Sequence, residues 1–307
     1  MPKITIILPV YNGGNYLKLS VASVLQQQFT DFEFLIIDDC STDNSWLFLQ
    51  ELKDSRIKLF KNEKNKGLFY NLNFLINQAT SSLIKIWTQD DIMYPFCLQK
   101  VFHFHELHSN IGFSYSERDY IDEAGNLLSN NKIDNTPEIV NRNLHTHIAF
   151  ITGSIAGNIA NVALNKHALD AVGLFNENMK ISGDFEMWVR LAKDYDIGFI
   201  KTALIQLRNH KGQLSGQERY YIYHLIEDIE TYQLLFAYIS PEDQKNGRLI
   251  LRNKKLLFYY TLMIKAFFKG KFFTGFRFFK LLSSFDKFHL LTWSFFKNKF
   301  LKINSIT

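Results

Sequence analysis

Short apolar runs alternate with amphipathic stretches through the first 115 residues of the chain. Residues 3–10 form a β-branched apolar run that ends in the turn Tyr11-Asn12-Gly13-Gly14. Residues 16–28 place Leu17, Val21, Val24 and Leu25 on one stripe, because side chains three and four apart share a helix face. Residues 32–37 predict a second strand ending at Asp38-Asp39, and Ser41-Thr42-Asp43 offer caps for a helix through about residue 52. A strand at 57–60, a helix at 67–79, a strand at 83–87, a helix at 95–108 and a strand at 111–115 follow. Alternating strands and helices predict an α/β fold: a doubly wound, mostly parallel, Rossmann-like sheet covered on both faces.

Beyond residue 115 the pattern weakens. Asp122-Glu123-Ala124-Gly125-Asn126 reads as a turn between two extended segments, and residues 136–147 are polar and predict irregular chain. Ile181-Ser182-Gly183-Asp184 leads into a helix at 185–193, and 197–200 and 204–207 predict two strands. The expected organisation is one domain over 1–240 and a helical extension over 241–307.

Charge separates the extension from the rest. Residues 251–307 carry 12 Lys and Arg against one acid, Asp286, whereas the first 250 residues hold 23 basic and 29 acidic side chains. The same segment holds 13 of the 29 phenylalanines. Lys265 interrupts its longest apolar run, so no stretch reaches the roughly 18 uncharged residues of a spanning helix. Basic and aromatic residues on opposite faces predict helices lying in a membrane interface; a helical extension packed on protein is the alternative. Nucleic acid is not an expected partner, because no supporting fold signature accompanies the basic segment. Cys40 and Cys97 form no disulfide framework and no metal-ligand spacing, and the amino-terminal residues lack a signal-peptide pattern. The expected setting is cytoplasmic, peripheral on the inner face of the cytoplasmic membrane.

Candidate chemistry gathers at strand ends. Ligands of open α/β sheets bind beyond the carboxyl ends of the strands. Pro9-Val10-Tyr11-Asn12, Asp38-Asp39 and Gln89-Asp90-Asp91 all follow strand ends, so all three should face one crevice. Adjacent carboxylates repel and call for a cation or donors; a hard metal carrying a diphosphate meets that need. Helix capping by Asp91 is the other reading.

The ordered series Pro9-Val10-Tyr11-Asn12, Ile37-Asp38-Asp39-Cys40-Ser41-Thr42-Asp43, Asn65-Lys66-Gly67, Asp90-Asp91 and Gly183-Asp184-Phe185-Glu186 resembles the family 2 glycosyltransferases. The resemblance covers residues 3–215 and implies the GT-A fold, an inverting reaction, a nucleotide-sugar donor (a UDP-sugar in the first place) and a divalent metal, Mn²⁺ or Mg²⁺. It implies that Pro9, Val10, Tyr11 and Asn12 border the base, and that Asp39 accepts a hydrogen bond from it. Asn65 and Gly67 would let backbone approach the nucleotide. Asp91 is the implied metal ligand, and Asp90 a sugar or ribose contact or second ligand. Thr88 stands where the family often has a further aspartate. Asp184 is the implied catalytic base, ahead of Glu186, while an N-cap role for Asp184 is equally consistent with the sequence. Arg208-Asn209-His210 would close over the diphosphate, with His210 a metal ligand or a phosphate contact, and residues 211–219, with Gly212 and Gly216, would form a flexible lid. The residues that select the sugar are expected within 110–180, with Gly153, Gly157 and Asn158 bordering their pocket.

The basic extension and this resemblance together point to a glycan or lipid-linked acceptor in bacterial surface polysaccharide synthesis, lipopolysaccharide or capsule. A polyprenyl-phosphate glycosyltransferase and a non-catalytic nucleotide- or glycan-binding module at the membrane are the rival readings. A dinucleotide enzyme is disfavoured, since the first turn lacks Gly-x-Gly-x-x-Gly.

Overall fold

The computed structural model describes residues 1–129, 134–210, 212 and 217–300. Its strands are β1 (Ile4–Val10), β2 (Phe32–Asp38), β3 (Ile57–Lys61), β4 (Leu83–Ile86) and β5 (Ile92–Met93). They continue with β6 (Ile111–Ile121), β7 (Leu127–Leu128), β8 (Ile139–Val140), β9 (Ala163–Asn165) and β10 (Asp196–Arg208). One sheet runs in the order β3-β2-β1-β4-β9-β6-β10-β5, with β7 on β6 and β8 on β10. Strands β3, β2, β1 and β4 are mutually parallel, as are β6 and β10; β9 joins the two blocks antiparallel to both.

The helices up to Asp194 are α1 (Tyr16–Leu25), α2 (Ser45–Glu51), α3 (Leu68–Gln78), α4 (Cys97–Leu107), α5 (Arg142–Thr152), α6 (Lys166–Val172) and α7 (Gly183–Asp194), of which α5 passes from the sheet's unit into the second unit given below. Every residue of β2 and β4 is buried, as parallel strands covered on both faces require. On one face Ile4, Ile6, Leu8 and Val10 join Leu17, Val21 and Val24 of α1 and Leu98, Val101 and Phe104 of α4 in a single apolar cluster. On the other, α3 lies on β1 and β2 and buries Leu72, Leu75 and Ile76. Each fully buried Leu or Ile contributes roughly 1.5–3 kcal/mol. A few such residues outweigh the 1–3 kcal/mol cost of a non-glycine residue held at positive φ. Asn12 (φ 51°) and Cys40 (φ 62°) are held that way at the ends of β1 and β2.

The structure departs from the sequence pattern in three places. Strand β6 continues past Tyr115 to Ile121. The two segments expected at 197–200 and 204–207 are one strand, β10, whose register with β6 shifts between Ile200 and Ala203. Residues 136–147, expected to be irregular, contain β8 and the start of α5.

The chain divides into two units: Met1–His145 with Ser154–Gln213, and Thr146–Gly153 with Leu214–Thr307. The second contains α8 (Tyr221–Phe236), α9 (Pro241–Asn253), α10 (Lys255–Phe268), α11 (Phe272–Phe285) and α12 (Phe288–Phe300). It has its own apolar interior, with Leu225, Leu235, Leu251, Met263, Leu282 and Leu291 all buried. Among the described residues, no helix is long and apolar enough to cross a membrane.

Candidate active site

The first unit brings its strand-end loops together by reciprocal hydrogen bonds. The Asn12 side chain accepts from the Thr42 N–H at 2.8 Å, while the Asn12 N–H donates to the Ser41 hydroxyl at 3.0 Å. The N–H groups of Gly13 and Gly14 donate to Ser45 Oγ and Asp43 Oδ2. The loops after β1 and β2 therefore form one rigid edge. Gln89 ties the third loop to it: Oε1 accepts from the Tyr11 N–H at 2.9 Å and Nε2 donates to the Tyr11 carbonyl at 3.1 Å. The Tyr11 ring is left 46 % exposed. Pro9 is half-buried, whereas the Val10 side chain lies wholly inside the sheet.

Asp39 is buried and fastens a further loop. Its Oδ1 accepts from Asn62 Nδ2 at 2.8 Å and the Lys66 N–H at 2.7 Å, and Oδ2 accepts from the Gly67 N–H at 2.9 Å. Such charge-assisted bonds are short and strong. Gly67 has φ 88°, which L side chains rarely adopt, so glycine is what lets the chain present this N–H and enter α3 at once. Asn65 is exposed beside it. Asp38 differs from its neighbour: Oδ1 accepts from the Ser41 N–H at 3.1 Å, and its buried Oδ2 has no hydrogen-bond partner among the described residues.

The acidic pair is built by β4 and β10. Trp87 is fully buried at the end of β4, and its indole N–H donates to Ser20 Oγ at 2.8 Å. The hydroxyl of Thr88, which stands where the family often has a further aspartate, donates to Asp91 Oδ2. Asp91 Oδ1 accepts from the Arg208 N–H at 2.8 Å. Burial, then the charge of Asp90, raises the Asp91 carboxyl well above the ordinary range. Asp90 is more open, and its Oδ2 lies 2.8 Å from His210 Nε2. The Gly212 N–H donates to His210 Nδ1 at 3.2 Å, so in the neutral ring the proton sits on Nε2 and donates to Asp90. Beneath the pair, Lys85 is buried with its ammonium on the carbonyls of Ala160, Ile86 and Val162. Burial pushes its pKa down to about 8, against the nearby Cys97 and Asp91 charges.

This donor set fits a divalent cation. A buried carboxylate disfavoured in its charged form, next to a more open one, gains from a positive charge. No cluster of three or more His, Cys, Asp or Glu occurs among the described residues. A cation here would take further ligands from phosphate oxygens and water, as Mg²⁺ commonly does.

Arg208 lies under the pair rather than above it. It is 3 % exposed, its Nε donates to the Asp90 carbonyl at 3.0 Å, and Nη1 donates to the carbonyls of Asp122 and Glu123. Its guanidinium covers the Tyr16 ring at 4.5 Å, and Tyr16 also meets the His210 ring. Of the expected lid, residues 211 and 213–216 lie outside the described residues.

Asp184 sits in the first turn of α7, half-buried. Gly183 before it packs against the Phe69 ring, where an added Cβ would lie 2.7 Å from the ring. Phe69 belongs to the first turn of α3, directly after the Gly67 held by Asp39. Asn73 fixes the same junction: its side chain donates to the Phe175 carbonyl and accepts from the Phe175 N–H, both at 2.9 Å. The rival acid, Glu186, is engaged by Arg190 through bonds of 2.6 and 2.9 Å. Arg190 in turn donates to the carbonyls of Val172, Gly173 and Leu174. Near the expected sugar-selecting segment, Arg118 Nη1 donates to the Ala156 carbonyl at 2.9 Å over Gly157, and Asn158 caps a short helical turn through the Ala160 N–H.

Sequence reading placed Gln89 in the strand-end loop but gave it no task, and it missed Tyr16, Asn73 and Lys85, which lie inside apolar or helical stretches and carry no local signal.

A mostly parallel sheet whose strand ends converge on an acidic pair, with a carboxylate opening a later helix, is the architecture of GT-A glycosyltransferases. The chain belongs to glycosyl transferase family 2, whose sequence model matches residues 5–163, more than half its length. It is 29 % identical over 215 residues to an uncharacterized glycosyltransferase of Rickettsia conorii, covering 68 % of this chain and 34 % of that one. It spans about a third of the length of that relative and of a Rickettsia felis one. It is 27 % identical over 205 residues to the Escherichia coli UDP-Glc:alpha-D-GlcNAc-diphosphoundecaprenol beta-1,3-glucosyltransferase WfgD, covering 66 % of this chain and 74 % of WfgD. Among solved structures, S. aureus TarS in complex with UDP superposes with a TM-score of 0.60 at 17 % identity, covering 81 % of this chain and 69 % of that one. The mannosyltransferase PcManGT from Pyrobaculum calidifontis, in complex with GDP-Man and Mn²⁺, gives 0.55 at 12 % identity, covering 97 % and 88 %. At these identities the two structures bear on the fold alone.

Proposed function

We propose that the chain transfers a sugar from a nucleotide-sugar donor, a UDP-sugar, to a hydroxyl of a glycan or lipid-linked acceptor with inversion at the anomeric carbon. The observation that carries this reading is the linked set of carboxylates: Asp39 at the base end, Asp90-Asp91 at the diphosphate end, and Asp184 on the helix that packs against the Asp39-held loop. The donor class is supported by the names of WfgD, a UDP-Glc-using relative, and of TarS, solved with UDP and UDP-GlcNAc. The acceptor class is supported by the diphosphoundecaprenol-linked substrate in WfgD's name. A divalent metal is supported by the donor set at Asp90-Asp91 and by the Mn²⁺ complex of PcManGT. Synthesis of a bacterial surface polysaccharide, with the second unit resting peripherally on the inner face of the cytoplasmic membrane, fits both the acceptor and the basic aromatic helices.

Each residue has a distinct task on this reading. Tyr11 offers its ring to the base, and Asp39 keeps acceptor capacity for a base N–H beyond its three internal bonds. Asp91 and Asp90 would hold the cation, with the His210 ring and the Arg208 backbone fixing their orientation. When bound, the cation would neutralise charge on the departing nucleoside diphosphate. The acceptor oxygen attacks the anomeric carbon, the bond from that carbon to the diphosphate oxygen breaks, and the hydroxyl proton passes to the Asp184 carboxylate. General-base assistance of this kind contributes on the order of 10²–10⁴ in rate. Asp184→Asn should therefore lower turnover on the order of 10²–10⁴-fold while donor affinity, measured by calorimetry, stays close to native. Near-native turnover in Asp184→Asn would reject the assignment; lost donor binding would relocate the residue's role to the donor.

A further inference from the structure

The second unit contains a cavity of about 470 Å³ between α8, α10 and α11. That size lies within the range of small-molecule sites. Its walls carry Arg219, Lys265, Lys269, Lys271 and Arg277 against one carboxylate, Glu218. Two other cations of this unit are matched: Arg252 pairs with Asp286 at 2.7 Å and Lys255 with Asp228 at 3.0 Å. None of the five cavity cations forms an ion pair with a described residue. Like charges gathered around one concavity repel unless an anion joins them, and Lys and Arg are the side chains that take phosphate.

The surroundings indicate where that anion comes from. Lys269 and Lys271 flank the turn between α10 and α11, closed by the Gly270 N–H on the Phe267 carbonyl and the Lys271 N–H on the Ala266 carbonyl. Beside this turn Phe268 is 89 % exposed and Phe273 78 %, and Phe272 and Phe276 are exposed as well. Gly275 seats against the Phe267 ring, so the two helices close tightly there while the four rings beside the turn stay exposed. A water-soluble phosphate needs no rim of exposed rings. A lipid does, because rings entering the acyl boundary and cations meeting the headgroup act together at an interface. Leu262 and Phe278 give the cavity an apolar lining below its charged walls.

We propose that this cavity binds the phosphate of an anionic glycerophospholipid headgroup, seated among Arg219, Lys265, Lys269, Lys271 and Arg277 while the rings around the α10–α11 turn enter the lipid. The inference rests on the membrane-facing reading of the second unit and narrows it from a diffuse basic surface to one site.

The test is cosedimentation of the full chain with vesicles of one-third phosphatidylglycerol in phosphatidylcholine. One variant combines Lys265→Gln, Lys269→Gln, Lys271→Gln and Arg277→Gln. Its control removes the same charge elsewhere in the unit, with Lys245→Gln, Lys280→Gln, Lys287→Gln and Lys297→Gln. The cavity variant should lose roughly 30-fold or more in apparent affinity and the control only a few-fold, with both retaining the native thermal unfolding midpoint. Equal losses would show attraction by total charge and overturn the site. Failure of the native chain to bind at all would instead remove the membrane reading on which the site depends. Stabilisation of the native chain by glycerol 1-phosphate, abolished in the cavity variant without any change in vesicle binding, would reassign the cavity to a soluble phosphate and overturn the lipid assignment.

Discussion

What donates to a carboxylate decides its role in this molecule. Glu186 is doubly bonded by Arg190 and serves α7, whereas the Asp90 carboxylate, among the described residues, meets only an imidazole and remains partly open. Thr88 explains a departure visible in the sequence: a hydroxyl donor holds Asp91 where a further acid would have added repulsion. The acidic pair itself was legible because adjacent aspartates at a strand end are conspicuous. The two donors to Asp91 were not, because a threonine and a backbone N–H look ordinary in sequence. Glu33 in β2 shows the same logic away from the crevice. Although burial alone would raise its pKa, hydrogen bonds from Lys58, from the hydroxyl and N–H of Thr80 and from Thr5 hold it down at about 2, from an ordinary 4.5. A depressed folded pKa stabilises the native state above the unfolded value, and that stabilisation is lost as pH falls through the folded one. Glu33→Gln should therefore cost on the order of 3 kcal/mol at neutral pH, with the gap to the native chain closing between about pH 4.5 and pH 2. Denaturant titrations across that range measure it, and a gap independent of pH would show that shape rather than charge matters at this position.

At the scale of elements, regular alternation made β1 to β4 and α1 to α4 readable, since each strand is a mainly apolar run between helical stretches. The pattern failed where side chains bond across the sheet instead of filling a core. The polar end of β6 is a strand because Ser116 bonds Asn161, Arg118 bonds the Ala156 carbonyl, and Asp119 accepts from the Tyr94 hydroxyl. Strand β10 read as two because its register with β6 shifts beside Lys201 and Thr202, interrupting the apolar sequence without ending the ladder. The position of α7, and so of Asp184, depends on a junction with no sequence signature at all: Asn73 on α3 clamping the Phe175 backbone. Asn73→Ala would leave a buried N–H and carbonyl without partners, at a cost of roughly 1–3 kcal/mol for such groups. If the clamp sets the Asp184 position, turnover should fall at least tenfold, with donor affinity little changed, because the Asp39 and Asp90-Asp91 contacts do not pass through Asn73. Thermal unfolding and single-turnover kinetics separate the two effects; lower stability with native turnover would confine Asn73 to a packing role.

Over the whole molecule, a net charge of +5 conceals two opposed populations. Residues 1–250 carry a net −6 and residues 251–307 a net +11, so attraction to an anionic surface belongs to the second segment while the first opposes it. The helical extension, its basic character and its phenylalanines were all readable from composition. How the phenylalanines divide was not. Phe278 and Phe285 are buried in the second unit, whereas Phe258, Phe268, Phe272, Phe273, Phe276, Phe279 and Phe296 are exposed. Because one-dimensional spacing does not reveal which helix faces are covered, packing on protein and presentation to lipid looked like alternatives. The second unit contains both a buried aromatic interior and an exposed aromatic surface. These two contributions to membrane association separate by salt, since the screening length falls from about 10 Å at 0.1 M to about 3 Å at 1 M while ring insertion persists or strengthens. Binding of the full chain to phosphatidylglycerol-containing vesicles should therefore weaken at least tenfold between those concentrations and level off above zero. Replacing Phe268, Phe272 and Phe273 by Ser should remove the plateau and leave the salt-sensitive part. Binding that disappears completely at high salt in the native chain would show that the exposed rings do not enter lipid, and the attraction would then be electrostatic alone.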